Sequence, residues 1–138
     1  MSSHIPVHLR RVVIDRAQGR CEYCKLPQQG QEATFHVDHV VPVKEGGRTT
    51  AGNLALACVS CSLRKAARLD VRDPETGART RLFSPREDAW EEHFEWDGVR
   101  LVPRSATGRA TATALDMNRP LIIAIRTEEA LLGRHPPA

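Results

Sequence analysis

Apolar and polar positions along this chain follow several short rhythms and no sustained repeat. Near the start, Val7, Leu9, Val12, Val13 and Ile14 lie among arginines. Leu9, Val13 and Arg16 share one helical face, which Val12 and Ile14 broaden. The pattern predicts a helix over about residues 6–18, stopped at Gly19. From Thr34 to Val43 the rhythm changes. Phe35, Val37, Val40, Val41 and Val43 form a β-prone run, with Pro42 at an edge or end. The stretch EGGR, residues 45–48, is a turn signal, and Asn53 opens a brief apolar run, NLALA.

Further along, SLRKAARL suits a helix beginning near Ser62, whose hydroxyl is able to cap it. DPETG, residues 73–77, reads as a loop. Ser84, Pro85 and the acids that follow predict another helix through Phe94, with Ser84 as N-cap. Asp97-Gly98 predicts a hairpin. Two short helices follow from about Thr107, broken near Asn118-Arg119-Pro120, and the closing GRHPPA is expected to be disordered. Trp90, Phe94 and Trp96 read as core rings in preference to base-stacking groups, and His93 as structural.

Length and composition set bounds on this picture. A chain of 138 residues holds one domain with room for an appendage. Charged residues at 27% and hydrophobic residues at 41% suit a soluble globular protein. No apolar run approaches the ~20 residues needed to span a bilayer. The opening MSSHIPVHLRRVVIDR lacks the apolar core of a secretory signal, so a cytoplasmic protein with reduced thiols is expected. The net charge of +3 permits a polyanionic partner without demanding one. Basic residues are concentrated between Arg64 and Arg86, a run that a plain solvated face would also explain.

The cysteines change the picture most. Cys21, Cys24, Cys58 and Cys61 form two C-x-x-C pairs with none left over. In a reducing compartment this spacing points to a tetrahedral structural Zn²⁺ site with four thiolate ligands. Free thiols or a redox pair are the alternatives, and a redox site has no need of a second copy. A closed four-sulfur site offers no position for substrate, so any chemistry must lie elsewhere.

Asp38 and His39 are the candidates for that chemistry. A carboxylate is a hard ligand suited to Mg²⁺, and an imidazole titrates where a general base must. Neighbours on a regular strand point to opposite faces, so the two share a site only at a distorted strand end. His36, two residues before Asp38, falls on the same face as Asp38 and is a third candidate.

The order of features from about residue 20 to 66 is a cysteine pair, Asp-His, Pro, a Gly-Gly turn, Asn-Leu, a second cysteine pair, then Lys65. It resembles the HNH endonuclease family, in particular small stand-alone bacterial members with four-cysteine zinc knuckles. The flanking PETGARTRLFSPREDAWEEHFEWDG and TGRATATAL are similar to the C-terminal extension of such proteins. The resemblance implies an α+β fold: a ββα-metal (His-Me finger) core over residues 1–70 with an N-terminal helix, and a helix–hairpin–helix extension over 71–138 packed on it as one structural domain. It implies a metal-dependent endonuclease cutting DNA, with double-stranded DNA as the expected partner, and cleavage leaving a 5′-phosphate. Asp38 would ligate a catalytic Mg²⁺ or Mn²⁺, His39 would take a proton from the attacking water, and Asn53 would hold the loop that aims His39. Arg64, Lys65 and Arg68 would contact phosphates.

One position departs from the family pattern. Ser62 stands where an Asn or His usually supplies the second protein ligand. The serine either ligates, directly or through water, or merely caps its helix. The competing reading is therefore a zinc-stabilised nucleic-acid-binding module with weak or lost cleavage. A protein-interaction zinc domain is a third, which Asp38, His39 and Asn53 argue against.

Overall fold

The computed structural model describes residues 4–138. They fall into two units: the chain through Arg68 together with Ser84–Glu87, and Leu69–Phe83 together with Asp88–Ala138.

In the first unit, α1 (Val7–Arg16) opens the fold. Val13 is wholly buried and Leu9 half-buried, but Val12 and Ile14 are exposed, so the face is narrower than the sequence suggested. Only the stripe at positions i, i+4 and i+7 meets the core. Its last member, Arg16, donates to the carbonyls of Ala51 at 2.9 Å and Leu54 at 2.8 Å. The helix ends at Arg16 with Ala17 as its C-cap, earlier than expected, and left-handed Gln18 and Gly19 turn the chain toward the first cysteine pair.

β1 (His36–His39) and β2 (Leu54–Ala57) form an antiparallel pair, with Asp38 opposite Ala55 and His39 opposite Leu54. β1 is shorter than the predicted run over 34–43. Past His39, Val40 N–H still reaches the Asn53 carbonyl, but Val41 N–H is taken by the Asn53 side chain and Pro42 has no N–H to offer. A 3₁₀ turn over Val43–Glu45 follows, closed by left-handed Gly46. All four residues of β2 are buried. Buried Glu22 clasps the outer edge of β2: its N–H donates to Leu56 O and its carboxylate accepts from Leu56 N, both at 2.8 Å, and it also pairs with Arg86.

α2 (Val59–Lys65) comes directly after β2. The sequence suggested a start at Ser62 with that residue as cap. Instead Cys58 is the N-cap and its sulfur accepts from Cys61 N–H at 3.4 Å. A thiolate-like acceptor placed by the knuckle satisfies the helix start three residues early, leaving Ser62 inside the helix. The helix is also shorter at its far end, stopping where Ala66 adopts φ 51°, ψ −130°.

In the second unit, β3 (Asp70–Arg72) and β4 (Arg79–Arg81) form a hairpin around the DPETG loop, where only the loop is expected from sequence. The helix expected from Ser84 is reduced here to α3 (Trp90–His93); in the 84–87 segment, which belongs to the first unit, Ser84 Oγ instead accepts from Arg86 and Glu87 N–H groups, closing a turn. β5 (Phe94–Asp97) and β6 (Arg100–Pro103) form the expected hairpin. α4 (Ala106–Ala114) and α5 (Pro120–Leu131) are the two closing helices, the second with Pro120 in its first turn. Trp90 and Phe94 are core rings as expected, 5.2 Å apart, with Phe83 edge-on to Phe94. Trp96 is half-buried under the guanidinium of Arg126, 5.0 Å from its ring centre.

Contrary to expectation, two residues of the tail have partners. Arg134 pairs with buried Glu129, and His135 stands edge-on to Trp96 at 4.6 Å while bonding to Gly98 O at 2.9 Å. These partners lie 5 or more residues back, which is why composition alone does not reveal them.

Candidate functional site

The four cysteines converge. All are buried, and their sulfurs lie within 4.8 Å of one another, with Cys24 and Cys58 at 3.7 Å. Four sulfurs bonded tetrahedrally to zinc at ~2.3 Å would be about 3.8 Å apart, so the donor set fits that ion. In each knuckle the N–H of the second cysteine points at the sulfur of the first, Cys24 to Cys21 at 3.5 Å and Cys61 to Cys58 at 3.4 Å. Burial pushes the Cys21 thiol up, while hydrogen bonds from its neighbours hold Cys58 well below its usual value. A divalent ion would let all four ionise.

Asp38 and His39 meet in one cleft of about 490 Å³, which Ser62, Lys44 and Ala66 also line. This answers the difficulty raised by their adjacency: His39 is the last residue of β1, where the regular alternation of faces ends. No hydrogen bond reaches the Asp38 carboxylate among the described residues. Its near charge is Lys65, whose pKa burial lowers and the field of Asp38 partly restores. A half-buried carboxylate with no donor on it is a fitting seat for a hard cation.

His39 is held from the other side. Its Nε2 lies 2.9 Å from Thr49 Oγ1. Thr49 sits in the loop between the strands, and Asn53 closes that loop. Asn53 Oδ1 accepts from Val41 N–H at 2.9 Å, while its Nδ2 donates to Val41 O at 3.0 Å and Arg48 O at 2.9 Å.

Residues 21–68 match the family model for the HNH endonuclease. This segment belongs to the HNH family. No curated protein and no solved structure matches the chain. The match spans both cysteine pairs, the β1–β2 hairpin and α2, so every residue of the cleft except Ile5 lies within the HNH segment.

The remaining residues singled out from sequence take varied positions around the HNH segment. Ser62 does not cap α2; its Oγ lies 2.8 Å from Nδ1 of His36. Lys65, expected at phosphates, is buried and donates to Val40 O at 3.1 Å. Arg64, in the last turn of α2, and Arg68, just past its end, are exposed. Thr49 and Glu22 were not singled out in the sequence. Thr49 lies in an unpatterned RTT run, and Glu22 within a knuckle whose cysteines dominate the reading. Among the described residues, no helix is long and apolar enough to cross a membrane.

Proposed function

We propose that this HNH segment hydrolyses phosphodiester bonds in DNA, with double-stranded DNA as substrate. In this reading the β1–β2 hairpin and α2 are a ββα-metal core, and zinc on Cys21, Cys24, Cys58 and Cys61 is structural. Asp38 holds a catalytic Mg²⁺ or Mn²⁺, with Ser62 or water beside it. Such an ion stabilises negative charge on the phosphate and its leaving oxygen.

The chain's own residues do the rest. With Nε2–H donated to Thr49 Oγ1, the Nδ1 lone pair of His39 accepts the proton of the attacking water. Asn53 keeps the 41–48 loop, and so Thr49, in register behind the imidazole. Arg64 and Arg68 contact phosphates, fixing the duplex without reading its sequence. Lys65 acts from beneath, by countering the charge of Asp38. The observation that carries the reading is the shared cleft of Asp38 and His39, with no donor on the carboxylate among the described residues.

The second reading, a nucleic-acid-binding module without cleavage, draws on Ser62, whose hydroxyl is committed to His36. Incubating supercoiled plasmid with the protein and Mg²⁺ or Mn²⁺ separates the two. Nicking that His39→Ala abolishes supports the nuclease. Retained DNA binding with no nicking by the wild type favours the binding module.

A further inference from the structure

The Ser62 hydroxyl faces a histidine that the roles above leave unused. His36 is on β1, two residues before Asp38, so both side chains leave the same face of the strand, about 6.7 Å apart along it. Nδ1 of His36 is engaged by Ser62 Oγ at 2.8 Å. Among the described residues Nε2 has no partner. A ring nitrogen pinned by a hydroxyl that lines the cleft, with the other nitrogen unpartnered among the described residues and the ring on the strand face that carries Asp38, suits a metal-ligating histidine.

We propose that His36, through Nε2, is the second protein ligand of the catalytic ion, and that Ser62 is a positioning residue. The inference rests on the nuclease reading of the cleft. In it, Nδ1–H donates to Ser62 Oγ, which fixes the tautomer and leaves the Nε2 lone pair for the cation. The serine thus does not vacate the ligand role of the usual Asn or His; it hands that role to a strand residue. The ligand pair becomes one imidazole and one carboxylate. Imidazole nitrogen favours first-row transition ions over Mg²⁺, so this site prefers Mn²⁺ or a later divalent ion.

The test uses zinc-loaded full-length protein and Mn²⁺ as probe, with binding by calorimetry and the ligand nuclei by electron spin-echo modulation. We expect one Mn²⁺ per chain, carrying a directly bound ¹⁴N signal. His36→Ala and His36→Gln should remove that signal, and His39→Ala should keep it. Ser62→Ala should weaken Mn²⁺ binding by about 10–100-fold while Mg²⁺ binding changes less. Zinc content and melting temperature confirm that each variant is folded. A ¹⁴N signal that survives both His36 variants, or is absent from the wild type, overturns the proposal. So does Mn²⁺ affinity lost in Ser62→Ala yet unchanged in both His36 variants. If Asp38→Ala leaves Mn²⁺ binding intact, or no Mn²⁺ binds, the nuclease reading of the cleft fails, and this inference with it. If Asp38 matters and His36 does not, only this inference fails.

Discussion

A Cβ placed on Gly47 would lie 1.8 Å from the carbonyl oxygen of Val41. The same atom would come within 2.8 Å of Asn53 Nδ2, the donor that bonds to that carbonyl. Glycine is therefore required here for close approach. Gly47→Ala must push the loop away from Asn53, and we expect it to destabilise the protein by about 1–3 kcal/mol, as overpacking does. Because the displaced loop also carries Thr49, nicking activity should fall further than the fraction unfolded explains. Chemical denaturation beside plasmid nicking at a fully folding temperature checks both.

Removing the metal from the sulfur cluster should unfold the region around it. Structural zinc contributes on the order of 10–16 kcal/mol in small knuckles, as large as a domain's whole stability of about 5–15 kcal/mol. One zinc per chain by atomic emission is expected. A strong chelator should raise hydrogen exchange first in β1, β2 and α2, and Cys58→Ser should do the same without chelator. Protection unchanged after metal removal would contradict this.

Legibility from sequence followed the range of the interactions. The cysteine pairs, Asp38-His39 and Asn53 stand out because their spacing is local. The start of α2 did not, since Cys58 caps it with a sulfur that only the folded knuckle brings into place. β3 and β4 have three residues each, too few for a period to register against the arginines around them. Ser84 satisfied two N–H groups as a helix cap would, but the helix itself begins at Trp90. Val12 and Ile14 are apolar without being core, because a small unit covers only one stripe of α1.

The second unit has an acid-sensitive anchor in Asp73. Hydrogen bonds from Arg109, at 2.8 and 3.1 Å, and from Glu75 N–H hold its carboxyl well below the usual carboxylate range. A depressed folded pKa means that its contribution is complete above the unfolded value of about 3.9 and is lost as pH falls through the folded value. The melting temperature should therefore drop as pH goes from about 5 toward 2. Asp73→Asn should melt lower at neutral pH and lose part of that acid slope. Identical slopes for variant and wild type would assign the acid sensitivity elsewhere.

Ala66 ends α2 in a backbone conformation that side chains rarely adopt, at φ 51° and ψ −130°. Strain of this kind is worth about 1–3 kcal/mol, against about 0.5–1 kcal/mol for the extra freedom glycine has when unfolded. Ala66→Gly should then stabilise the protein by up to about 2 kcal/mol. Denaturant midpoints decide it: a lower midpoint for the glycine variant would mean the alanine is not strained.

Cys58 holds two posts at once, as a member of the sulfur cluster and as the acceptor that begins α2. Oxidising or alkylating that single atom would therefore loosen the turn that carries Ser62 toward His36, some distance from where the reagent struck. The thiol chemistry of the surroundings would thus have a lever on the proposed nuclease site that needs no contact with the cleft.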